Sequence, residues 1–221
     1  MMRPRLLDAF CCQGGASRGY QRAGFHVTGV DIDPQPRYPF PFIRGDAVAY
    51  IRDHGHEYDA IHASPPCQAS TALTHGTNKG RVYPQLIPAT RELLKLTGLP
   101  YVIENVQGSA VRRDLTLCGE MFRLEVIRHR YFECEGFPVV QPRHLAHRGR
   151  VAGMRHGEWF TGPYFAVYGN GGGKGTVNQW RQAMQIDWTH DRKEIAEAVP
   201  PPYARLVGAQ LLDHLTAEDT A

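Results

Sequence analysis

Short apolar runs alternate with helix-like segments through the first half of this chain, and each run ends in glycine or polar residues. The run Arg5–Phe10 precedes the glycine turn Gln13-Gly14-Gly15, and a helix is predicted from about Ala16 to Ala23. Alternating strands and helices are typical of α/β proteins built on a parallel sheet. The sequence therefore predicts a doubly wound, mostly parallel, Rossmann-like α/β sheet with a small irregular insertion.

The same alternation predicts the remaining elements. Further strands are expected over residues 25–32, 58–63 and 101–106, and further helices over 46–54 and 84–96, near 178 and 191, and over 202–215. The polar segment 69–83 is predicted to be a mobile loop. The pattern breaks between 135 and 175, where glycine, proline, arginine and histidine dominate and only 164–168 resembles a strand. We interpret 135–175 as an insertion within one domain formed by 1–134 and 176–221.

Composition excludes several classes of protein. No run approaches the roughly 20 apolar residues of a membrane-spanning helix, and the N-terminus lacks the apolar core of a secretion signal. The five cysteines form no CxxC pair, and the eleven histidines form no HExxH motif. We therefore expect no disulfide framework and no metal site. The predicted location is the cytoplasm, with no membrane partner.

The net charge of +3 is small, but basic residues are concentrated in one segment. Seven of them lie between residues 143 and 156 with no acidic residue among them: Arg143, His144, His147, Arg148, Arg150, Arg155 and His156. Such a segment is a candidate for contacting nucleic-acid phosphates. A solvated loop is an equally good interpretation of this segment taken alone.

Polar residues follow the predicted strands where such sheets bind ligands, at the carboxyl ends. The glycine turn would let the backbone approach a nucleotide-like ligand. Asp31 could accept hydrogen bonds from ribose hydroxyls, and Asp46 could accept one from an adenine amino group. Each aspartate taken alone could equally be a helix cap or a turn residue.

Two further strand ends carry reactive side chains. Ser64-Pro65-Pro66-Cys67-Gln68 holds a thiol behind two rigid prolines, and an accessible thiolate is a strong nucleophile. Glu104 follows an apolar run, so burial should raise its pKa and let it hold a proton. The alternatives are a cysteine that only packs in the core and a glutamate paired structurally with an arginine.

The ordered series of motifs resembles the DNA (cytosine-5) methyltransferase family over nearly the whole chain. The segment Asp8-Ala9-Phe10 to Gly15 resembles the cofactor turn, Pro65-Pro66-Cys67-Gln68 the nucleophile motif, Glu104-Asn105-Val106 the acid motif, and Arg128-His129-Arg130 the arginine motif. Residues 184–188 and 200–208 resemble the last two motifs. The resemblance implies catalytic roles for Cys67, Glu104, Asn105 and Arg130. It implies S-adenosylmethionine contacts for Phe10, Gln13, Gly14, Gly15, Asp31, Ile32, Asp46 and Pro65.

The same resemblance implies methylation of cytosine carbon 5 in duplex DNA, after the base is flipped out of the helix. We expect nucleic-acid contacts from Gln68, Lys79, Arg81, Arg128, Arg143, Arg148 and Arg150, in a monomer of a bacterial or phage-infected cell. Two departures stand out. Cys12 replaces a usual glycine beside Cys11, which leaves a modified donor open, and residues 135–175 offer little surface for reading base edges.

Four alternatives therefore stay open. The same chemistry could act on cytosine in RNA or single-stranded DNA, or on a free nucleotide. The fold could also serve a non-catalytic protein that only binds nucleic acid or cofactor.

Overall fold

A computed structural model describes residues 3–66, 86–168 and 175–218 of the chain. Within these ranges, seven strands form one sheet: β1 (Arg5–Ala9), β2 (His26–Asp31), β3 (Phe42–Arg44), β4 (Ala60–Ala63), β5 (Tyr101–Val106), β6 (Leu115–Leu117) and β7 (Arg130–Glu135). The α-helices are α1 (Gly15–Ala23), α2 (Ala47–His54), α3 (Leu86–Thr97), α4 (Val177–Met184), α5 (Arg192–Glu197) and α6 (Pro201–Glu218). A separate hairpin pairs β8 (Gly153–Arg155) with β9 (Glu158–Phe160).

The order of strands in the main sheet is β3-β2-β1-β4-β5-β7-β6. Strands β1 to β5 pair in parallel, whereas β7 is antiparallel to both β5 and β6. The chain leaves β1 toward β2 on one side and later returns to β4 on the other side. This reversal between β1 and β4 is the point where a doubly wound sheet opens a crevice for ligands. The predicted doubly wound, mostly parallel sheet is confirmed.

Apolar side chains cover both faces of the sheet, as a parallel sheet requires. One core contains Leu6, Val102 and Phe132 together with residues of α1, α4 and α6. The other contains Leu7, Ile61 and Ile103 together with residues of α2 and α3. The alternation of Leu6 and Leu7 between the two cores follows from the two-residue period of a strand.

Helices α1 and α6 approach each other so closely that glycine is required between them. A Cβ atom on Gly15 would lie 2.2 Å from the carbonyl oxygen of Val199, and one on Gly19 would lie 2.4 Å from that of Pro201. Both obstacles are backbone atoms, which cannot rotate away as a side chain can. The two glycines therefore set the position of α1, and with it the turn that follows β1.

We expect Gly15→Ala to lower the free energy of unfolding by about 2–3 kcal/mol, because overpacking against fixed backbone costs this much. Chemical denaturation followed by circular dichroism measures the effect. Gly153→Ala is the matched control, since a Cβ there meets no atom within 4 Å. Equal stability of the two variants would contradict the packing interpretation.

The region 135–175 differs from its predicted structure. Residues 164–168 do not form a strand: Tyr164 makes one isolated bridge to Val151, and the regular pairing lies at β8 and β9. The apolar residues Ala166 and Val167 are buried, but against the core rather than in a sheet. Burial without strand pairing produces the same apolar pattern, which explains the error. Among the described helices, none is long and apolar enough to cross a membrane.

Candidate active site

A cavity of about 410 Å³ lies at the carboxyl ends of β1, β2, β4 and β5, where the strand order reverses. Its lining includes residues from the predicted strand ends and from the arginine motif: Phe10, Gly15, Asp31, Ile32, Pro65, Glu104, Asn105, Arg128 and Arg130. These positions are far apart in sequence, and the parallel sheet brings their carboxyl ends to one edge. The cavity is large enough for a nucleoside-sized ligand.

Glu104 and Arg130 form a buried ion pair at one side of the cavity. The Nε atom of Arg130 lies 2.8 Å from Oε1 of Glu104, and the glutamate is only 4% exposed. Burial raises the pKa of Glu104, while the Arg130 charge and a hydrogen bond from Ser64 oppose that rise. The pairing follows from strand register, since Arg130 lies opposite Val106 in the β5–β7 pair. A carboxyl held in this way can keep a proton at higher pH than an exposed one.

Asn105 connects the ends of β5 and β4. Its Nδ2 atom donates to the carbonyl oxygen of Pro65 at 2.8 Å, and its Oδ1 accepts from the backbone N–H of Val106 at 3.0 Å. Asn105 is buried, so both hydrogen bonds are shielded from water. The amide therefore fixes the backbone two residues before Cys67.

A chain of hydrogen bonds leads from the core to Glu104. The hydroxyl of Ser64 donates to Oε2 of Glu104 at 3.0 Å and lies 2.9 Å from Nε2 of His62, whose Nδ1 lies 3.0 Å from the Tyr20 hydroxyl. Burial lowers the pKa of His62 to about 3, so the ring is neutral. Because Ser64 donates to the carboxylate, His62 donates through Nε2 and accepts through Nδ1. This series of hydrogen bonds orients the carboxyl of Glu104 from the side of the protein core.

The end of β2 provides the polar and apolar groups expected for a nucleoside. Asp31 is buried, and its two carboxylate oxygens accept from the backbone N–H groups of Cys12 at 2.9 Å and Asp33 at 3.0 Å. Each oxygen retains a second lone pair for a ligand hydroxyl. The next residue, Ile32, is 66% exposed at the cavity, where a flat ring could pack on it.

The turn after β1 has an unusual backbone. Phe10 (φ 58°) and Cys12 (φ 44°) both adopt the left-handed conformation, which favours glycine. The left-handed backbone at Cys12 therefore explains why a glycine is usual at this point of the motif. Burial raises the pKa values of both the Cys11 and Cys12 thiols, so neither is an activated nucleophile.

Three predicted cofactor residues lie outside the cavity lining. Gln13 is buried and donates from Nε2 to Gln35 at 2.6 Å, and Gly14 (φ 83°) is the N-cap of α1. Asp46 is the N-cap of α2, since its side chain accepts from the N–H of Ala49 at 2.9 Å. The structure thus gives each of them a local structural role, and cofactor contact stays a prediction.

Cys67, Gln68, Lys79 and Arg81 lie outside the described residues, as does the predicted loop 69–83. The described chain stops at Pro66, which lines the cavity. Their predicted roles therefore remain predictions drawn from the motifs.

The predicted nucleic-acid contacts fall into two groups. Arg143 and Arg150 are exposed. Arg128 instead donates to the carbonyl oxygens of Val167 and Ala196, and Arg148 Nε lies 2.8 Å from Oε1 of Glu120. Arg128 thus holds the arginine motif against the end of α5. Arg148 is already paired with an acidic residue, which comes from outside the basic segment 143–156.

Sequence reasoning missed several polar residues near the site. Ser64, His62 and Tyr20 received no role, although a histidine inside an apolar strand is a detectable signal of a buried hydrogen bond. It also gave no role to Asp8, which is fully buried, hydrogen-bonded to Ser17 and lines the cavity. Burial raises the pKa of Asp8 to about 7. Pairing among such residues depends on strand register, which the sequence alone did not supply.

Comparisons with known proteins bear on the fold and on the class of protein. No protein-family model matches the chain. It is 28% identical over 156 residues to the type II methyltransferase M.XorII of Xanthomonas oryzae pv. oryzae, a match covering 63% of this chain. The chain spans about a third of that relative, since the match covers 35% of its length.

Similar solved structures share the fold across nearly the whole chain. They include a methyltransferase of Entamoeba histolytica, EhMeth (TM-score 0.63, 12% identity, 97% of this chain and 99% of that one). The Dnmt2 methyltransferase of S. pombe has a TM-score of 0.61 at 12% identity, over 96% of this chain and 99% of that one. An E. coli prophage protein described as a DNA modification methyltransferase has a TM-score of 0.62 at 13% identity, over 96% of this chain and 99% of that one.

The fold is therefore the Rossmann-like fold of methyltransferases. The relative in sequence and the similar solved structures are all named as methyltransferases.

Proposed function

We propose that this chain transfers a methyl group from S-adenosylmethionine to carbon 5 of cytosine in DNA, through a covalent adduct with Cys67. The observation that carries the proposal is the cluster of Glu104, Arg130 and Asn105 beside Pro65 and Pro66 at the switch-point cavity. The nucleophile motif continues from these prolines directly into Cys67.

The donor site fits the residues present. Asp31 has free lone pairs for ribose hydroxyls, Ile32 exposes an apolar surface, and the left-handed turn at Cys12 brings backbone near the cavity. Asp31, Ile32 and Gly15 would hold the nucleoside. When bound, S-adenosylmethionine supplies a methyl group activated by its positively charged sulfur.

The protein's task is to make cytosine carbon 5 nucleophilic. Addition of the Cys67 thiolate forms a sulfur–carbon 6 bond and moves electron density to carbon 5, which then accepts the methyl group. The demethylated donor, a neutral thioether, would leave at this step. Loss of the carbon 5 proton to water then restores the double bond as the sulfur–carbon 6 bond breaks, and any proton taken up at ring nitrogen 3 returns to Glu104. The thiolate is thus regenerated and the ring is aromatic again.

Glu104 and Arg130 support this addition from the pyrimidine edge. The raised pKa of Glu104 lets its carboxyl donate a hydrogen bond or proton to ring nitrogen 3, where negative charge develops. Arg130 orients that carboxyl from 2.8 Å and can also bind the neighbouring carbonyl oxygen. Asn105 keeps the backbone before Cys67 in place through Pro65.

A polymer substrate is supported by the exposed basic residues of the insertion. Arg143 and Arg150 are exposed and can contact phosphates, and flipping of the base would bring carbon 6 to the thiolate. The E. coli prophage protein with this fold, described as a DNA modification methyltransferase, favours DNA over RNA or a free nucleotide.

The test is transfer of a labelled methyl group from S-adenosylmethionine. Duplex DNA, single-stranded DNA, transfer RNA and deoxycytidine monophosphate are offered separately, and the labelled base is identified by chromatography. Label as 5-methylcytosine in duplex DNA is the expected result. Label only in another substrate would overturn DNA as the target, and binding of donor without any transfer would overturn the enzymatic function.

A further inference from the structure

Four potential metal ligands converge where the insertion meets the main sheet. Cys118 follows β6, His129 precedes β7, and His144 and His147 belong to the loop between β7 and β8. One ligand atom from each side chain lies within 4.8 Å of the other three. These residues take no part in the proposed catalytic cluster.

Two of the distances among the four ligand atoms are close to those in a tetrahedral metal site. Nε2 of His129 lies 3.1 Å from Nε2 of His144, and Sγ of Cys118 lies 3.4 Å from Nε2 of His147. In a tetrahedral zinc site with bonds of ~2.0 Å to nitrogen and ~2.3 Å to sulfur, neighbouring ligand atoms are roughly 3.3–3.6 Å apart. Small shifts of the two exposed histidines would close the set around one ion.

The three histidine rings lie close together. Their centroids are 5.2–5.4 Å apart in every pair. Cys118 is fully buried beside them, with its sulfur 3.4 Å from Nε2 of His147.

An ion pair and a tyrosine ring lie beside the cluster. Glu120 lies next to the cluster and binds Arg148 and the Tyr164 hydroxyl, and the ring of Tyr164 is 6.3 Å from that of His147. The residues between β7 and β8, about 17 in number, contain no helix or strand in the described chain. Loops longer than about 12–15 residues are uncommon unless something orders them.

We propose that Cys118, His129, His144 and His147 bind one Zn²⁺ ion that fastens the insertion to the sheet. A set of one thiolate and three imidazoles suits zinc, and four protein ligands leave no open position, as in structural rather than catalytic sites. The proposal differs from the sequence-based expectation that no metal is bound. Since His129 lies between Arg128 and Arg130, the ion also positions the arginine motif.

The first experiment measures the metal bound by the purified protein after loading with Zn²⁺ and removal of excess ion. The wild type should retain about one zinc per chain, and the double variant His144→Ala/His147→Ala should retain none. The matched control is His156→Ala/His190→Ala, which also removes two exposed histidines but none of the cluster. Circular dichroism verifies that each variant is folded.

Cobalt identifies the ligands independently of activity. Co²⁺ in place of Zn²⁺ should give the intense visible bands of a tetrahedral ion and a thiolate charge-transfer band in the near ultraviolet. The charge-transfer band should disappear in Cys118→Ser while the histidine variants lose the visible bands.

Trypsin tests the structural role. Arg143, Arg148 and Arg150 lie in the loop, so removal of zinc by a chelator should accelerate cleavage there in the wild type. The double histidine variant should be cleaved quickly with or without chelator. A folded wild type that binds no zinc, or equal zinc in the double variant and its control, would overturn the proposal.

Discussion

Replacement of Cys67 by alanine should abolish methyl transfer, with a loss of at least about 10⁴-fold in kcat, while S-adenosylmethionine still binds. The loss is large because nothing else in the motif can add to cytosine carbon 6, and removal of an attacking nucleophile costs this much in other enzymes. Steady-state transfer of labelled methyl groups measures the rate, and calorimetric titration measures the binding of S-adenosylmethionine.

The control for this prediction is a second thiol outside the site. Cys134 is a free cysteine buried in β7, and Cys134→Ala should retain most of the activity. A covalent complex with DNA that contains 5-fluorocytosine should form with wild type and the Cys134 variant, but not with Cys67→Ala. Methylation by Cys67→Ala at a rate near that of the wild type would contradict the covalent mechanism.

Glu104→Gln should reduce kcat by about 10³–10⁴-fold, at the upper end of the range for loss of a general acid. Glutamine has nearly the same shape, but it cannot donate a proton, and it removes the charge that faces Arg130 at 2.8 Å. Binding of S-adenosylmethionine should change little, because the amide lies at the pyrimidine side of the cavity. Single-turnover methylation with saturating donor measures the chemical step.

The pH dependence distinguishes a catalytic carboxyl from a structural one. Burial raises the pKa of Glu104 above its value in the unfolded chain, so the native state binds the proton more tightly. Activity that depends on the protonated form should therefore decline as pH rises through the folded pKa, and this decline should be absent from Glu104→Gln. The same sign applies to stability: the contribution of Glu104 is lost with rising pH, so the variant should become relatively more stable. Identical pH profiles for the two proteins would contradict the role as an acid.

Local sequence patterns predicted the elements that carry the site. β5 was predicted with its observed bounds, and α1 and α2 begin within one residue of the predicted positions. These predictions succeed because apolar runs, glycine turns and N-caps such as Asp46 act through neighbouring residues. The antiparallel strands β6 and β7 were not predicted, since their short runs have no helix between them to mark a boundary.

The order of motifs along the chain also predicted which residues meet at the cavity. Glu104, Asn105, Asp31 and Pro65 end parallel strands, and all such ends lie at one edge of a doubly wound sheet. Chemical type then indicated their roles: a carboxyl after an apolar run, an amide beside it, and prolines before a thiol. The sequence by itself thus determined the fold class, the edge that holds the site and the chemistry proposed for it.

Only the tertiary structure decided which side chains pair. The contact of Arg130 with Glu104 depends on the register of β7 against β5, and the connection from Tyr20 through His62 depends on how α1 packs on β4. The cluster of Cys118 with three histidines joins positions up to 29 residues apart, with no recognisable motif. Such contacts depend on long-range packing, which local sequence does not fix. A change of strand register by one residue, for example, would turn every side chain of the strand to the opposite face of the sheet.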